Sequence, residues 1–356
     1  MFTTPFDYLT WRGDLSFQND EFNLVDNLIL AEISYVDFKI PLKRNESLSF
    51  YDACKIIFEK KKDKDIVLGL IVPQSIVKLT HQACLTTRFK DLILSDYVNV
   101  ITNDPPCQFS ALCFHLPNNV IYVAYRGTDD TLMGWQENLN MIDEFPVPAQ
   151  KMAKDYLNKI AIKYPDAKFY VGGQSKGGNL ALYAGIYIDK EIQDRIITIF
   201  NNDGPGFVKE KIDLDRFNYI KDKIIEIIPQ SCVVGMLFDE YYGKRIVVKS
   251  NKKGVWQHDS LSWHVQGKSF VTVNDVTKNA IKLNDDVDKL LLSLNEKEKK
   301  DLALSTYNFI NVVKKDTLLE CQKDPFRIIA NITKMPLKSR RIFTRFIGFF
   351  FKNNLL

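Results

Sequence analysis

Residues 168–185 read KFYVGGQSKGGNLALYAG. A short β-prone run, 168–171, enters a turn crowded with Gly172, Gly173, Ser175, Gly177 and Gly178, and an Ala- and Leu-rich helix leaves it. Residues 173–177 fit G-x-S-x-G in a strand, turn, helix context. A serine held on so sharp a turn adopts a strained backbone, and side chains on either side of it would collide with the adjoining strand and helix. Gly173 and Gly177 remove those side chains. The hydroxyl of Ser175 then stands exposed, and the first N–H groups of the following helix point at any anion formed beside it, an arrangement suited to acyl transfer. The bland alternative is a glycine-rich turn used only for packing; a phosphate cradle is not supported, since the chain has no G-x-x-x-x-G-K-[ST].

Working outward, the 149–164 stretch carries Met152, Ala153, Tyr156, Leu157, Ile160 and Ala161 on one helical face, and Pro165 stops it just before the serine-bearing strand. Upstream, 97–102, 109–116 and 120–125 are successive β-prone runs, the last two joined by Pro117-Asn118-Asn119. The third run ends in Tyr125-Arg126-Gly127-Thr128-Asp129-Asp130. Gly127 permits close backbone approach, and Thr128 offers a hydroxyl beside its own N–H, a combination that can stabilise an oxyanion. A second use is open to Thr128, as a cap for the helix over 133–141.

Downstream, 195–200 (RIITIF) is apolar throughout, as a strand buried on both faces should be, and it runs into Asn201-Asn202-Asp203-Gly204-Pro205-Gly206-Phe207. The carboxyl ends of parallel strands are where open α/β sheets place their chemistry, which favours Asp203 as an acid; as a turn residue it could equally bond its own backbone. A strand follows at 223–228, then 232–238 and 245–249 read as a hairpin. His258 lies in the polar turn GVWQHDS, whereas His264 sits in the half-apolar LSWHVQG. Helices are expected over 21–37, 47–61 and 75–94, and again over 287–294, 298–313 and 325–332. The expected organisation is therefore a helical flank (1–96), an α/β core with a mostly parallel sheet flanked by helices (97–274), and a helical C-terminal extension (275–356).

Composition bounds the rest. With 356 residues, 46% of them hydrophobic, the chain can bury a sizeable core. The six cysteines show no C-x-x-C spacing, so neither a disulfide framework nor a zinc site is expected; acyl transfer through a serine would itself need no metal or organic cofactor. No basic n-region precedes an apolar core at the start, and no run of 18 apolar residues occurs, which predicts a cytoplasmic protein. The net charge of +4 owes six basic residues to 334–352, leaving about −2 for everything before, so no nucleic-acid surface is expected. Over 338–352 Lys338, Arg341, Arg345 and Lys352 gather on one side of a helix and Ile342, Phe343, Phe346, Ile347, Phe349 and Phe350 cover the other, with Arg340 as an exception. Two readings stand for this tail: a peripheral contact with the inner membrane face, or a Phe-faced helix docked on the body.

Taken together, Tyr125-Arg126-Gly127-Thr128, Trp135, Asn138, Gly173-Gln174-Ser175-Lys176-Gly177 and His258 resemble the α/β-hydrolase superfamily near the class 3 lipases. Including residues 6–14, 201–207 and 257–259, the chain is similar over roughly residues 5–268 to a group of bacterial lipase-like hydrolases of unknown function. The resemblance implies Ser175 as nucleophile, His258 as general base, and an oxyanion hole built from Thr128 and the backbone N–H of Lys176, with Gly127 admitting the substrate carbonyl and Gly173, Gln174 and Gly177 supporting the turn. It also implies a serine esterase or lipase-like activity on a small-molecule or lipid ester. Two departures stand out. The lipase acid position falls on Ser231, which carries no charge; Asp203 is the first substitute, Asp239 the second, and Asp259 a poor third. The 140–150 segment is short for an interfacial lid. Without an acid to orient His258, the alternative is a hydrolase fold used only for binding, recruited to a membrane or partner by its C-terminal helix.

Overall fold

A computed structural model describes residues 3–313 apart from 45, 69–71, 130, 143 and 239–242, together with 333, 337, 340 and 344. The amphipathic tail expected over 338–352, the helix over 325–332 and Asp239 therefore lie outside the described residues, Arg340 and Thr344 excepted. Eleven strands are present among those described: β1 (Ser47–Ser49), β2 (Ile93–Asn103), β3 (Pro106–Leu116), β4 (Val120–Tyr125), β5 (Lys168–Gln174), β6 (Ile196–Asn202), β7 (Ile224–Pro229), β8 (Lys244–Val248), β9 (Val265–Gln266), β10 (Ser269–Phe270) and β11 (Thr272–Val273). Nine form one sheet in the order β1-β2-β3-β4-β5-β6-β7-β8-β11. Pairing is parallel from β4 through β8 and antiparallel at both edges.

Helices cover both faces. They are α1 (Pro5–Arg12), α2 (Leu24–Ile33), α3 (Lys39–Arg44), α4 (Phe50–Lys60), α5 (Ser75–Ala83), α6 (Leu132–Asn140), α7 (Pro148–Lys163), α8 (Lys176–Tyr187), α9 (Lys190–Arg195), α10 (Leu214–Ile220), α11 (Lys278–Leu292) and α12 (Glu296–Val313). The period-2 alternation of the strands sorts their side chains between two cores. Tyr122 and Ala124 join a cluster with the N-terminal helices, including Leu28, Ile29, Phe50 and Leu79. Ile121, Val123 and Tyr125 face the opposite way, into a cluster with Leu157 and Ile160 of α7 and Leu180 and Ala184 of α8. A third, smaller cluster joins α11 and Leu302 of α12 to Ile142, Val233 and Met236, and α12 packs along α6.

This architecture is the α/β-hydrolase-like sheet anticipated from the motif order, with four local corrections. The segment 232–238 is not a strand of a hairpin: Val234–Met236 form a 3-10 turn, and β8 pairs parallel with β7. Its apolar character comes from packing Val233 and Met236 beneath α11, while the Gly235 N–H is committed to the Asp203 carboxylate. The helix expected over 47–61 begins only at Phe50, because Ser47–Ser49 pair with β2 and Ser49 Oγ caps it by accepting from the Asp52 N–H. The helix expected over 75–94 ends at Ala83, where the Thr86 hydroxyl takes the Ala83 carbonyl, and β2 begins at Ile93. The sheet thus already starts within residues 1–96, the span expected as a helical flank.

One buried ion pair fastens the N-terminal helices. Arg88 Nε and Nη2 donate to the two carboxylate oxygens of Asp26 at 2.7 and 2.5 Å, and the remaining guanidinium protons reach the Leu15, Asp20 and Glu21 carbonyls. Phe17 stacks against the same cation, 4.2 Å from its central carbon to the ring centroid. Removing one partner strands a buried charge, so Arg88→Met is expected to cost about 3–5 kcal/mol of stability in urea unfolding. A loss under about 1 kcal/mol would show that this pair does not hold the flank in place.

Candidate active site

Ser175 occupies the junction of β5 and α8 with φ 58° and ψ −132°, a conformation that L residues rarely hold. Two close approaches make it attainable. A Cβ on Gly177 would lie 2.1 Å from the Tyr125 carbonyl oxygen, and one on Gly173 would lie 2.4 Å from the Gly177 carbonyl carbon. The turn is pinned from outside by the Ser175 N–H, which donates to the Asn202 carbonyl at 2.9 Å.

His258, in a 3-10 turn over Gly254–His258, places Nε2 3.0 Å from Ser175 Oγ. Its Nδ1 lies 2.7 Å from Asp203 Oδ2. An ionised carboxylate only accepts, so Nδ1 carries the proton, Nε2 is bare, and the serine hydroxyl donates to it. Asp203 is fully buried, and its other oxygen accepts from the Gly235 N–H at 2.9 Å. His258 stays about a quarter exposed. The carboxylate is thus dry and fixed, and the imidazole is within reach of solvent.

The run Asn201-Asn202-Asp203 divides the labour. Asn201 Oδ1 and Nδ2 bond the N–H and carbonyl of Gly204, shaping the turn that Asp203 was alternatively expected to make for itself. Asn202 Nδ2 donates to the Gly173 carbonyl, and Asn202 Oδ1 accepts from Asn27 Nδ2. Asp203, at φ 51°, is left for the histidine. Of the other acids weighed, Asp259 turns to Lys252 Nζ at 2.7 Å, and at the lipase position the Ser231 N–H donates to Gln257 Oε1. Asp239 is outside the described residues. The remaining histidines are engaged elsewhere: His81 with Asp63, His115 with Ser95 and His264 with Asn251.

Gly127 and Thr128 extend β4 past the elbow. A Cβ on Gly127 would stand 2.0 Å from the Tyr35 hydroxyl and 2.6 Å from the Gln174 carbonyl oxygen, so the segment runs directly against the serine turn. Thr128 does not cap α6; Thr131 does, its Oγ1 accepting from the Gly134 N–H. Thr128 Oγ1 instead receives Asn138 Nδ2 at 2.8 Å, with Asn138 Oδ1 3.1 Å away, so one hydroxyl lone pair is occupied and its proton can turn to a better acceptor. Lys176 follows Ser175 as the first residue of α8.

Gln174 is more than support for the turn. Its Nε2 donates to the His258 carbonyl at 3.1 Å and lies 3.4 Å from His258 Nε2, and its Oε1 accepts from the Tyr35 hydroxyl at 2.7 Å. Tyr35 was hidden from sequence reading, being one apolar-periodic residue among many, in the turn just past the end of α2. Glu32, one turn before it, receives Ser260 Oγ two residues past the histidine. Burial pushes the Glu32 carboxyl up to about 8, and the nearby Asp259 charge pushes the same way. Asp203, Cys232 and His258 place one ligand atom each within 4.8 Å of one another. The carboxylate and Nδ1 are already bonded to each other, however, so a metal would have to break the pair it joined.

A buried acid, an imidazole and a serine on a strained strand-to-helix turn, at the carboxyl ends of parallel strands, define a lipase-like α/β-hydrolase fold. The chain belongs to the Mbeg1-like family, whose model matches residues 83–308. No curated protein matches it. Solved structures to which it is similar include a Rhizomucor miehei lipase propeptide complex (14% identity, TM-score 0.32, 51% of this chain and 62% of that one). Others are lipase II from Rhizopus niveus (13%, 0.37, 76% and 93%) and a Yarrowia lipolytica lipase (16%, 0.29, 50% and 72%). The chain spans under two thirds of the Rhizomucor chain. No helix among the described residues is long and apolar enough to cross a membrane.

Glu32 gives the site region a pH signature. The folded chain keeps it protonated up to about pH 8, while the unfolded chain ionises it near 4.5. Its raised value means the stabilisation is complete below about 4.5 and is lost as pH rises toward 8. Glu32→Gln is expected to remove that slope, gaining roughly 1–3 kcal/mol on wild type between pH 5 and pH 8 in urea unfolding. Parallel curves for the two proteins would show that Glu32 is ionised in the folded state throughout.

Proposed function

We propose that this chain is a serine hydrolase that cleaves a carboxylic ester through an acyl-enzyme on Ser175. The observation that carries the reading is the continuous hydrogen-bonded line from Asp203 Oδ2 through His258 to Ser175 Oγ, at 2.7 and 3.0 Å. Ser175 Oγ attacks the ester carbonyl carbon as His258 Nε2 takes its proton. The carbonyl oxygen becomes an oxyanion, received by the Thr128 hydroxyl and N–H and by the Lys176 N–H at the positive end of α8. Collapse expels the alcohol, which takes the proton from Nε2. Water, deprotonated by the same nitrogen, then releases the carboxylic acid and restores the serine.

Asp203 acts through orientation and charge. Bonded to Nδ1, it keeps Nε2 free to accept, and it stabilises the imidazolium that forms when the proton moves. Its burial among protein donors keeps water from competing for that bond. The non-catalytic alternative draws weight from the uncharged Ser231 and from the long helical extensions; Asp203 against His258 weakens the first of these grounds. A small-molecule or lipid ester is the substrate class this chemistry serves.

Hydrolysis of short p-nitrophenyl esters by purified protein tests the reading. Ser175→Ala and His258→Ala are expected to lower kcat by at least about 10³-fold, and Asp203→Asn by about 10²–10⁴-fold. Thr128→Val, which keeps the shape and loses the hydroxyl, should cost about 10²-fold in kcat. Undiminished turnover by Ser175→Ala would remove the proposal.

A further inference from the structure

The side chain of Lys176 does not reach solvent. It is 2% exposed, and its Nζ is ion-paired with Glu137 of α6, itself fully buried, and donates to the Gln108 carbonyl at 2.9 Å. Both Glu137 oxygens are also held by the backbone, accepting from the Gln108 N–H at 2.9 Å and the Ala149 N–H at 2.7 Å. Burying a lysine and a glutamate is costly, and an apolar pair of similar size serves packing as well or better, so the pair calls for a role beyond packing.

Its connections supply one. Lys176 contributes one donor of the oxyanion hole through its backbone, and Thr128 contributes the other. Asn138, next to Glu137 on α6, holds Thr128 Oγ1. Gln108, which meets both members of the ion pair, also donates from Nε2 to the carbonyl of Gly127, the residue before Thr128. The bonds therefore close a ring: Lys176 to Glu137, along α6 to Asn138, to Thr128, back through Gly127 to Gln108, and to Lys176 again. Both donors lie on it. Gly134 lets α6 sit close enough, since a Cβ there would approach Thr128 Cγ2 to 3.1 Å and Gln108 Oε1 to 3.2 Å.

We propose that the buried Lys176–Glu137 pair is a positioning device for the oxyanion hole, making Glu137 and Lys176 positioning residues that fix the separation of its two donors from a single helix. This rests on the serine-hydrolase reading above. Because the hole meets charge only as the transition state forms, misplacing a donor lowers kcat and leaves ground-state binding intact. A pair that served packing alone would change stability without that split.

Two variants of the full chain test this. Glu137→Gln combined with Lys176→Met removes both charges, so neither is stranded; Glu137→Asp keeps the charge and shortens its reach by one carbon. For each folded variant, kcat and KM are measured on a p-nitrophenyl ester, together with inhibition by an alkyl trifluoromethyl ketone, whose serine adduct carries an oxyanion. Expected are a fall in kcat of about 10- to 100-fold, KM within about two-fold of wild type, and a loss of ketone affinity matching the loss in kcat. A folded variant of either kind with wild-type kcat and ketone affinity overturns the proposal while leaving the serine-hydrolase reading standing. A wild type that neither turns over esters nor binds the ketone overturns both.

Discussion

The first turn of α8 lies against the ends of β4 and β5 with no room for a single methyl group between them. A Cβ at Gly177 would sit inside the Tyr125 carbonyl, and one at Gly173 inside the Gly177 backbone. That contact forces Ser175 into its left-handed conformation and turns its hydroxyl away from the core. The hydrogen-bonded line of the candidate site starts from the result. The strain is held by the parallel sheet, whose register sets Tyr125 beside Gly173 and Gln174 beside Asn202.

Around that turn the protein has built a buried polar layer, and nearly every member of it is bonded. Asn27 and Asn202 tie α2 to the elbow strand, Tyr35 holds Gln174 against the histidine turn, and Gly235 completes Asp203. Such a layer is expensive to bury unless its bonds are all made, and fully made it defines one arrangement of the loops. The N-terminal helices are thus part of the site's support as well as cover for one face of the sheet. Helix α12 packs on α6, the helix that carries both Glu137 and Asn138, so this part of the extension also leans on the site from the other side.

Much of this was legible in the residues alone. The G-x-S-x-G turn, the order of strands after it and the parallel sheet follow from local chemistry: glycines where backbones cross, and apolar runs where both faces are covered. The segment 232–238 misled because an apolar β-prone string looks the same whether it pairs in a sheet or packs under a helix. The choice between Asp203 and its rivals depended on which carboxylate the long return from β6 to His258 would bring together, a tertiary distance with no local signature. Tyr35, Glu137 and Gln108 were invisible for a similar reason. Each sits in an ordinary pattern of its own element and acquires meaning only from a partner far along the chain. Asn138, by contrast, was picked out by resemblance, though its bond to Thr128 was not.

The central claim is that Ser175 is an activated nucleophile. Its most direct test is reaction of the purified protein with a fluorophosphonate, followed by mass mapping of the modified peptide. One phosphonyl group per chain is expected, carried by the peptide that contains Ser175, and none when His258 is replaced by alanine. A folded protein that takes up no phosphonyl group, or takes it up at another residue, would contradict it.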